Sequence, residues 1–91
     1  MSDGRVAVLG AGGRMGSAVC AAVASDADLE LVAAVDPRHA GEDVAGVVIA
    51  EDVHQVDADR VDVAIDFTAA PAVRTNLEWC ASAGLHAVLG T

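Results

Sequence analysis

Short apolar runs alternate with stretches of helical periodicity along the chain. The runs are nearly free of polar residues, which is typical of strands buried on both faces of a parallel sheet. They predict five strands, at residues 5–9, 29–35, 47–50, 61–66 and 86–89. Between the first two runs, apolar residues recur at helical spacing and predict a helix over residues 14–24. The buried stripe of this helix is predicted to be Met15, Ala18, Val19, Ala22 and Val23.

A second helix is predicted to begin at Pro71, because the first turn of a helix tolerates proline, and to end before Gly84 as its C′ residue. Its predicted apolar stripe is Val73, Leu77, Cys80 and Ala81. Residues 51–56 are predicted to form one helical turn or a loop. Strands that alternate with helices favour parallel pairing and right-handed crossovers. The chain is therefore predicted to be an α/β protein with a Rossmann-type doubly wound parallel sheet, in strand order 3-2-1-4-5.

Four glycines lie within the seven residues that follow the first strand. The spacing Gly-x-Gly-x-x-Gly fails, because its third position is Met15, whereas Gly10-x-x-Gly13-x-x-Gly16 fits in full. Glycine permits a sharp turn and the close approach of a ligand. Backbone N–H groups and the positive end of the helix dipole then favour an anion. We interpret the segment as a phosphate-binding turn; the alternative is a glycine-rich turn that only lets the helix pack on the strand.

Asp36 ends the second predicted strand, 20 positions after Gly16. A carboxylate at about this distance accepts the adenosine ribose hydroxyls in dinucleotide-binding folds. Arg14 and Arg38 are placed to supply positive charge next to a phosphate. In an open parallel sheet, ligands bind outside the carboxyl ends of the strands at the switch point. The segments predicted to converge there are Gly10–Gly16, Asp36, Phe67-Thr68 and Gly90-Thr91.

Composition and charge restrict the partners of this chain. The 91 residues suffice for one small domain, and 54% of them are apolar. A net charge of −9, with no lysine, argues against nucleic acid and against anionic membranes as partners. No apolar run reaches 18 residues, and the N-terminus does not resemble a signal peptide. We therefore expect a cytoplasmic protein without a membrane segment.

No residue pattern predicts a catalytic group or a metal site in this chain. Cys20 and Cys80 fall within predicted helices and are expected to be small buried hydrophobes. Asp66 is expected to orient the local backbone rather than to act as an acid. The histidines lack metal-ligand spacing and are expected to be solvated; they are His39, His54 and His86. No nucleophile–base pair can be assembled from these residues.

Three segments together resemble one enzyme family: the run Gly10-Ala11-Gly12-Gly13-Arg14-Met15-Gly16, the run Asp66-Phe67-Thr68 and the end Gly90-Thr91. The family is 4-hydroxy-tetrahydrodipicolinate reductase (dihydrodipicolinate reductase), of bacterial lysine and diaminopimelate biosynthesis. Residues 76–78 and 84–88 also fit its N-terminal domain, so the resemblance covers nearly all of the chain. It implies an oxidoreductase that reduces 4-hydroxy-tetrahydrodipicolinate to tetrahydrodipicolinate by hydride transfer from NADH or NADPH.

The resemblance also implies a role for each matching residue. The pyrophosphate and adenosine side of the cofactor would lie on Gly10, Ala11, Gly12, Gly13, Arg14 and Met15. Asp36 would bind the adenosine ribose, and Arg38 would face a 2′-phosphate. Phe67 and Thr68 would lie next to the nicotinamide half, and Gly90 and Thr91 would begin a Gly-Thr-Thr-Gly turn that lines it. Asp36 favours NADH whereas the two arginines favour NADPH, so we expect both to bind, with NADH at least as tight.

The catalytic and substrate-binding residues of that family lie in a second domain, which has no counterpart in these 91 residues. That domain carries a His-His…Lys stretch and a Gly-Thr stretch that binds the dicarboxylate substrate. The chain is therefore expected to be a cofactor-binding fragment that is inactive by itself. The family's homotetramer is built by the absent domain, so the fragment is expected to be monomeric or weakly associated.

Two other functions compete with this interpretation. The first is the cofactor domain of another dehydrogenase, such as aspartate or homoserine dehydrogenase, and the run Asp66-Phe67-Thr68 opposes it. The second is a non-catalytic module that senses a nucleotide or binds coenzyme A. Asp36 argues against coenzyme A, which lacks a free adjacent ribose diol. A sensing module would need a partner surface, and the sequence offers no aromatic or methionine patch for one.

Overall fold

Four parallel strands form the sheet of this protein in a computed structural model that describes residues 4–90, apart from the side chains of residues 70 and 71. The strand order is β2-β1-β5-β6, so β1 and β5 are neighbours although a long stretch of chain separates them. The elements in chain order are β1 (Gly4–Leu9), α1 (Arg14–Ser25), β2 (Leu29–Val35), β3 (Asp43–Val44), β4 (Val47–Val48), β5 (Val63–Asp66), α2 (Ala70–Ala83) and β6 (His86–Leu89).

The central strand β1 is buried on both faces, as its unbroken apolar run predicts. Val6 and Val8 face one side and pack in the cluster that contains Cys20 of α1. Ala7 and Leu9 face the other side and pack in the cluster that contains Cys80 of α2. Helices therefore cover both faces of a parallel sheet, and the predicted doubly wound Rossmann-type fold is confirmed.

The third predicted strand, residues 47–50, does not join the sheet as a strand. Instead β3 and β4 pair with each other as an antiparallel hairpin. Only Ala50 reaches the edge of β2, where its N–H donates to the Ala34 carbonyl at 2.8 Å. The chain reverses at Ala45 and Gly46, both of which have positive φ. After this turn, Ala50 is the residue that pairs in parallel with β2. The other four predicted strands lie in the predicted order.

The predicted buried stripe of α1 was only partly right, although the bounds of the helix were nearly right: Val23 is buried and Val19 is half-buried. The buried residues are Gly16, Cys20 and Val23, whereas the Met15 side chain is 61% exposed. Gly16 lies directly against the Gly10 carbonyl in the turn after β1. Helix α1 is therefore oriented so that the side that carries Gly16 faces the sheet. Glycine carries almost no hydropathy signal, so an apolar pattern cannot detect this contact. Two more residues of the predicted stripe are exposed, Ala18 and Ala22.

The predicted stripe of α2 was also only partly right. Cys80 is buried and Val73 is half-buried, but Leu77 and Ala81 are exposed. Their place is taken by Asn76, a polar residue that is only 7% exposed. Gly84 ends the helix with φ +72°, as predicted for a C′ glycine. The fourth predicted strand starts two residues late, at Val63, after the short 3₁₀ helix Ala58–Arg60.

Strand β6 coincides with its predicted range, but all four of its residues are exposed. It lies at one edge of the sheet, where Val88 and Leu89 are 52% and 50% exposed. The structure buries both cysteines as unpaired thiols, as predicted. Among the described helices, none combines the length and the apolar character that a membrane span requires.

The hairpin turn between β3 and β4 yields a stability prediction. Ala45 has φ +51° and Gly46 has φ +85°, the signs that a two-residue type I′ turn requires. An alanine in this conformation is strained, whereas asparagine tolerates it and Asn-Gly is favoured in such turns. Ala45→Asn should stabilise the protein by about 0.5–1 kcal/mol and raise the melting temperature by a few degrees. The matched variant Ala45→Val should lower it, since β-branched residues resist positive φ; equal melting temperatures for both variants would contradict this prediction.

Candidate functional site

The turn that joins β1 to α1 depends on two glycines. Gly10 has φ +82°, and a Cβ placed on it would lie 3.0 Å from the Phe67 carbonyl carbon. A Cβ on Gly16 would lie 2.0 Å from the Gly10 carbonyl oxygen, which no real side chain permits. Gly13 precedes α1 as its N-cap, and a Cβ there would make only an ordinary contact at 3.6 Å. The first and third glycines of the spacing thus allow the close strand–helix packing.

The N–H groups within this turn already have partners inside the protein. Those of Gly10 and Ala11 donate to the Val35 carbonyl, at 2.7 and 3.1 Å. The Gly12 N–H donates to Asp36 Oδ2 at 3.0 Å. The N–H groups of the first turn of α1 differ, since no helical carbonyl precedes them. Gly13 gives them no side-chain cap. The donors that this site can offer to an anion are therefore the N–H groups of Arg14, Met15 and Gly16.

Asp36 lies at the carboxyl end of β2 with only 9% of its surface exposed. Its Oδ2 accepts from the Gly12 N–H, and its Oδ1 accepts from the Arg38 N–H at 3.0 Å. The second bond caps the short 3₁₀ helix Pro37–His39. A carboxylate has about four lone-pair positions, so each oxygen of Asp36 can accept one more hydrogen bond. The structure therefore presents a fixed, partly satisfied acceptor pair next to the glycine turn.

The loop after β2 also packs on the glycine turn through His39. A Cβ on Gly12 would lie 2.2 Å from two ring atoms of His39, so the imidazole covers the α-carbon of this glycine. The ring Nδ1 lies 3.0 Å from Oε2 of Glu42. His39 was expected to be a solvated loop residue, but it is half-buried in this contact. The side chains of Arg14 and Arg38 are exposed at the same end of the sheet.

A buried polar network lies at the carboxyl end of β5. Asp66 is 2% exposed, and its Oδ1 accepts hydrogen bonds from the Thr68 N–H at 2.7 Å and from the Thr68 hydroxyl. Its Oδ2 accepts from the Asn76 amide at 3.1 Å. The same amide nitrogen lies 3.2 Å from Thr68 Oγ1. The expectation that Asp66 orients the local backbone is confirmed by these contacts.

Phe67 connects the ends of three strands. Its N–H donates to the Leu9 carbonyl of β1 at 2.9 Å, and its carbonyl carbon faces Gly10. A Cβ on Gly90 would lie 2.2 Å from Cε1 of Phe67, so the ring lies against this glycine after β6. Thr91 lies outside the described residues. The predicted convergence of Gly10, Phe67 and Gly90 at one edge of the sheet is thus observed.

A cleft of about 190 Å³ opens between the end of β2 and the start of α2. Four of its nine lining residues are apolar and five are polar or charged, so apolar and hydrogen-bonding groups share its walls. Thr68 and Asn76 belong to this lining, so the polar network of β5 reaches the cleft. The other lining residues are Val35, Pro37, Glu51, Asp52, Val53, Ala72 and Thr75.

The other titratable groups that the structure describes do not form a second cluster of catalytic or metal-binding side chains. The His54 ring lies 2.7 Å from Asp52 Oδ1, and hydrogen bonds from His54 lower the pKa of Asp52. His86 is exposed on β6. Arg5 lies 3.3 Å from Asp62 and lowers the pKa of that carboxyl, near the amino ends of β1 and β5. Within residues 4–90, no three His, Cys, Asp or Glu side chains are close enough together to hold a metal ion.

The sequence interpretation missed two residues that shape this edge, His39 and Asn76. Asn76 carried a usable signal, since it is the one amide at helical spacing between Val73 and Cys80. The contact of His39 carried none, because it depends on how the loop folds over Gly12.

A parallel sheet with a glycine turn at its switch point, and with carboxylates at the neighbouring strand ends, defines a Rossmann-type α/β domain. The sequence profile of the family described as "Dihydrodipicolinate reductase, N-terminus" matches residues 4–91. The chain belongs to this family.

Curated relatives agree with this assignment. The chain is 48% identical over 87 residues to a 4-hydroxy-tetrahydrodipicolinate reductase of Beutenbergia cavernae, covering 96% of this chain and 30% of the relative. It is 46% identical to the enzyme of the same name from Cutibacterium acnes, with the same coverage. The chain thus spans about 30% of the length of these relatives.

Solved structures agree on the fold. A dipicolinate-bound dihydrodipicolinate reductase from Paenisporosarcina sp. TG-14 has a TM-score of 0.76 and 25% identity, covering 100% of this chain and 38% of that one. An aspartate semialdehyde dehydrogenase with NADP from Candida albicans has a TM-score of 0.82, and the match covers 97% of this chain and 29% of that one. Since this second match is only 20% identical, it shows the shared fold alone.

The glycine contacts predict opposite effects at two positions of the turn. Gly16→Ala would force a methyl group against the Gly10 carbonyl, so we expect the free energy of unfolding to fall by about 2 kcal/mol or more. Gly13→Ser adds a side chain with ordinary contacts and a favourable N-cap, and it should stabilise the protein by about 0.3 kcal/mol. Guanidinium unfolding of both variants tests this pair, and a Gly16→Ala variant as stable as the parent would overturn the packing argument.

The two buried thiols predict a loss of stability at alkaline pH. Burial raises the pKa of Cys20 and Cys80, and for Cys80 the charge of Asp66 raises the pKa further. The folded protein therefore binds more protons than the unfolded chain above the unfolded thiol pKa of about 8.5, so stability falls as pH rises. The limiting slope is about 1.4 kcal/mol per pH unit for each thiol.

The chain has no lysine and no tyrosine, so these thiols are the main side chains that titrate between pH 8 and about 11. Urea unfolding at pH 8, 9 and 10 measures the effect. The double variant Cys20→Ala/Cys80→Ala should flatten the pH dependence, and an unchanged slope in that variant would assign it to another group.

Proposed function

We propose that this chain is the NAD(P)H-binding part of a reductase that converts 4-hydroxy-tetrahydrodipicolinate to tetrahydrodipicolinate. The reaction belongs to lysine and diaminopimelate biosynthesis in the cytoplasm. The observation that carries the proposal is the family match over residues 4–91, on a chain whose glycine turn lies at the switch point of the sheet. The NADP-bound dehydrogenase of similar fold supports a dinucleotide in this crevice.

The residues at the crevice fit a dinucleotide. A diphosphate would lie at the amino end of α1, where the N–H groups of the first helical turn and the Arg14 side chain would bind it. Asp36 would accept the hydroxyls of the adenosine ribose with its two remaining lone-pair positions. Arg38 would lie next to a 2′-phosphate. Further predicted cofactor contacts are Ala11, Gly12, Met15, Phe67, Thr68, Gly90 and Thr91.

The cofactor supplies a hydride when it is bound, and this chain binds and orients it. Phe67 and Gly90 would form the wall against which the reactive half rests, because the ring and the glycine are in close contact at two neighbouring strand ends. A cofactor that is held rigidly is already oriented for reaction with the substrate. This orientation would be the main contribution of a cofactor-binding domain to the reaction rate.

The substrate site is proposed to lie outside this chain, which covers about 30% of the length of its relatives. The dipicolinate in the Paenisporosarcina enzyme supports a small planar dicarboxylate as substrate. In this proposal the remaining domain binds the substrate, supplies the catalytic groups and builds the homotetramer. The isolated chain would then bind cofactor but reduce nothing.

Cofactor binding and choice can be measured on this chain directly. Calorimetric titrations should show that NADH and NADPH both bind, with NADH at least as tight, since Asp36 pairs with a free ribose diol and repels a 2′-phosphate. NADPH binding ten times tighter than NADH would contradict this preference. Failure of both to bind would contradict the proposed function and favour a module for another nucleotide.

Replacing the carboxylate tests the assignment of Asp36. Asp36→Asn should shift the ratio of the two dissociation constants by about tenfold toward NADPH, because a neutral amide neither pairs as well with the diol nor repels phosphate. The ratio cancels any damage to the turn that affects both cofactors. Asp59→Asn is the matched control: it makes the same charge change at an exposed residue of the 3₁₀ helix Ala58–Arg60 before β5. An equal shift in both variants would point to net charge alone.

A further inference from the structure

The buried network at the end of β5 carries more hydrogen bonds than a turn requires. Asp66 already holds the Thr68 N–H, which suffices to shape the turn between residues 66 and 68. Asn76 adds two bonds from α2, one to Asp66 Oδ2 at 3.1 Å and one to Thr68 Oγ1 at 3.2 Å. The Asn76 residue is 7% exposed, and burying an amide is costly unless it is satisfied. We therefore asked what the second bond achieves.

The donors and acceptors of this network determine what the Thr68 hydroxyl can still offer to a ligand. A carboxylate only accepts, so the Asn76 nitrogen faces Asp66, and its second hydrogen is directed to the Thr68 oxygen. The Thr68 hydroxyl in turn donates its hydrogen to Asp66 Oδ1. A hydroxyl has one hydrogen and two lone pairs, so one lone pair remains. Thr68 lines the cleft and is half-buried, so this lone pair is what its side chain can offer there.

We propose that Asn76 is a positioning residue that fixes Thr68 as a hydrogen-bond acceptor toward the crevice, so that Thr68 binds an N–H or O–H group of the cofactor. This inference rests on the proposed function, since the cofactor is the ligand expected there. A freely rotating threonine would accept or donate with equal ease and would lose rotational entropy on binding. The Asp66–Asn76 pair removes that freedom before the ligand arrives, which is preorganisation in the usual sense.

A double-mutant cycle on NADH affinity tests this arrangement. Thr68→Val deletes the acceptor and should weaken NADH binding by about five- to tenfold, the loss of one hydrogen bond. Asn76→Leu should weaken it by a smaller factor, about two- to fivefold, because the Thr68 hydroxyl keeps its bond to Asp66 Oδ1 but loses the Asn76 donor, and Asp66 loses the bond that fixes its Oδ2. The double variant should bind about as well as Thr68→Val alone, since Asn76 acts only through Thr68. If Asn76 had only a structural role, Asn76→Leu would lower the melting temperature equally in the parent and in the Thr68→Val variant. Its effect on the free energy of NADH binding would then add to that of Thr68→Val.

Two further variants keep the test decisive. Asn76→Leu leaves one oxygen of a buried carboxylate unpaired. If this variant does not fold, Asn76→Ser replaces it in the cycle, because serine is smaller and polar and its single hydrogen cannot bond both Asp66 and Thr68. Glu78→Gln is the matched control on the same helix, with an exposed side chain 3.4 Å from Arg74; its NADH affinity should equal that of the parent.

The outcomes separate this inference from the function on which it rests. If the unsubstituted chain binds neither NADH nor NADPH, the proposed function itself fails. If it binds NADH but the two substitutions are additive, or Asn76 variants keep full affinity, the positioning role is wrong and cofactor binding stands.

Discussion

The contact between the α-carbon of Gly16 and the carbonyl oxygen of Gly10 is the constraint on which the crevice depends. No side chain fits between them, since a Cβ would lie 2.0 Å from that oxygen. This contact lets α1 start directly beneath the end of β1 and decides which face of the helix meets the sheet. It also aims the unpaired N–H groups of the first helical turn along the strand end, where Asp36 and Phe67 are already close. Loss of this one contact would displace several groups at once.

Two buried carboxylates hold the neighbouring strand ends in a similar manner. Asp36 binds backbone N–H groups of Gly12 and Arg38, and Asp66 binds that of Thr68. In each case the carboxylate lies at the end of a strand and accepts hydrogen bonds from main-chain N–H groups that are outside the sheet. Charge-assisted bonds of this kind are strong in a partly buried site, so they help to fix the loops at the carboxyl ends of the strands, together with the packing of Phe67. A small domain with few large side chains benefits from this arrangement.

The strand positions were predictable from sequence because an unbroken apolar run has few other uses, and β2 and β6 matched their ranges. The order of four strands followed from the handedness of the crossovers. The hairpin at Ala45 was missed, since its turn has alanine at a position where sequence patterns expect asparagine, aspartate or glycine. The helix faces were only partly predicted for a related reason: Gly16 and Asn76 are buried, and a hydropathy pattern gives weight to neither.

The sequence predicted which segments meet at the site, but it did not predict the contacts between their residues. Gly10, Asp36, Phe67 and Gly90 meet at one edge, as the topology of a parallel sheet requires. Which N–H groups remain available could not be predicted, because that depends on the Val35 carbonyl and the Asp36 carboxylate taking the donors of the turn. The position of His39 over Gly12 follows from the fold of a loop, and loops carry little periodic signal.

The exposed edge strand β6 has a consequence for how copies of this chain behave together. Its residues are all exposed, with half of the Val88 and Leu89 surfaces open, and a bare strand edge is a template for pairing with another chain. The net charge of −9 opposes such pairing by mutual repulsion between copies. That repulsion acts over about 8 Å at physiological ionic strength and shrinks as salt is added. Colloidal stability of the chain is therefore set by ionic strength, which screens this charge, and by acidification, which removes it.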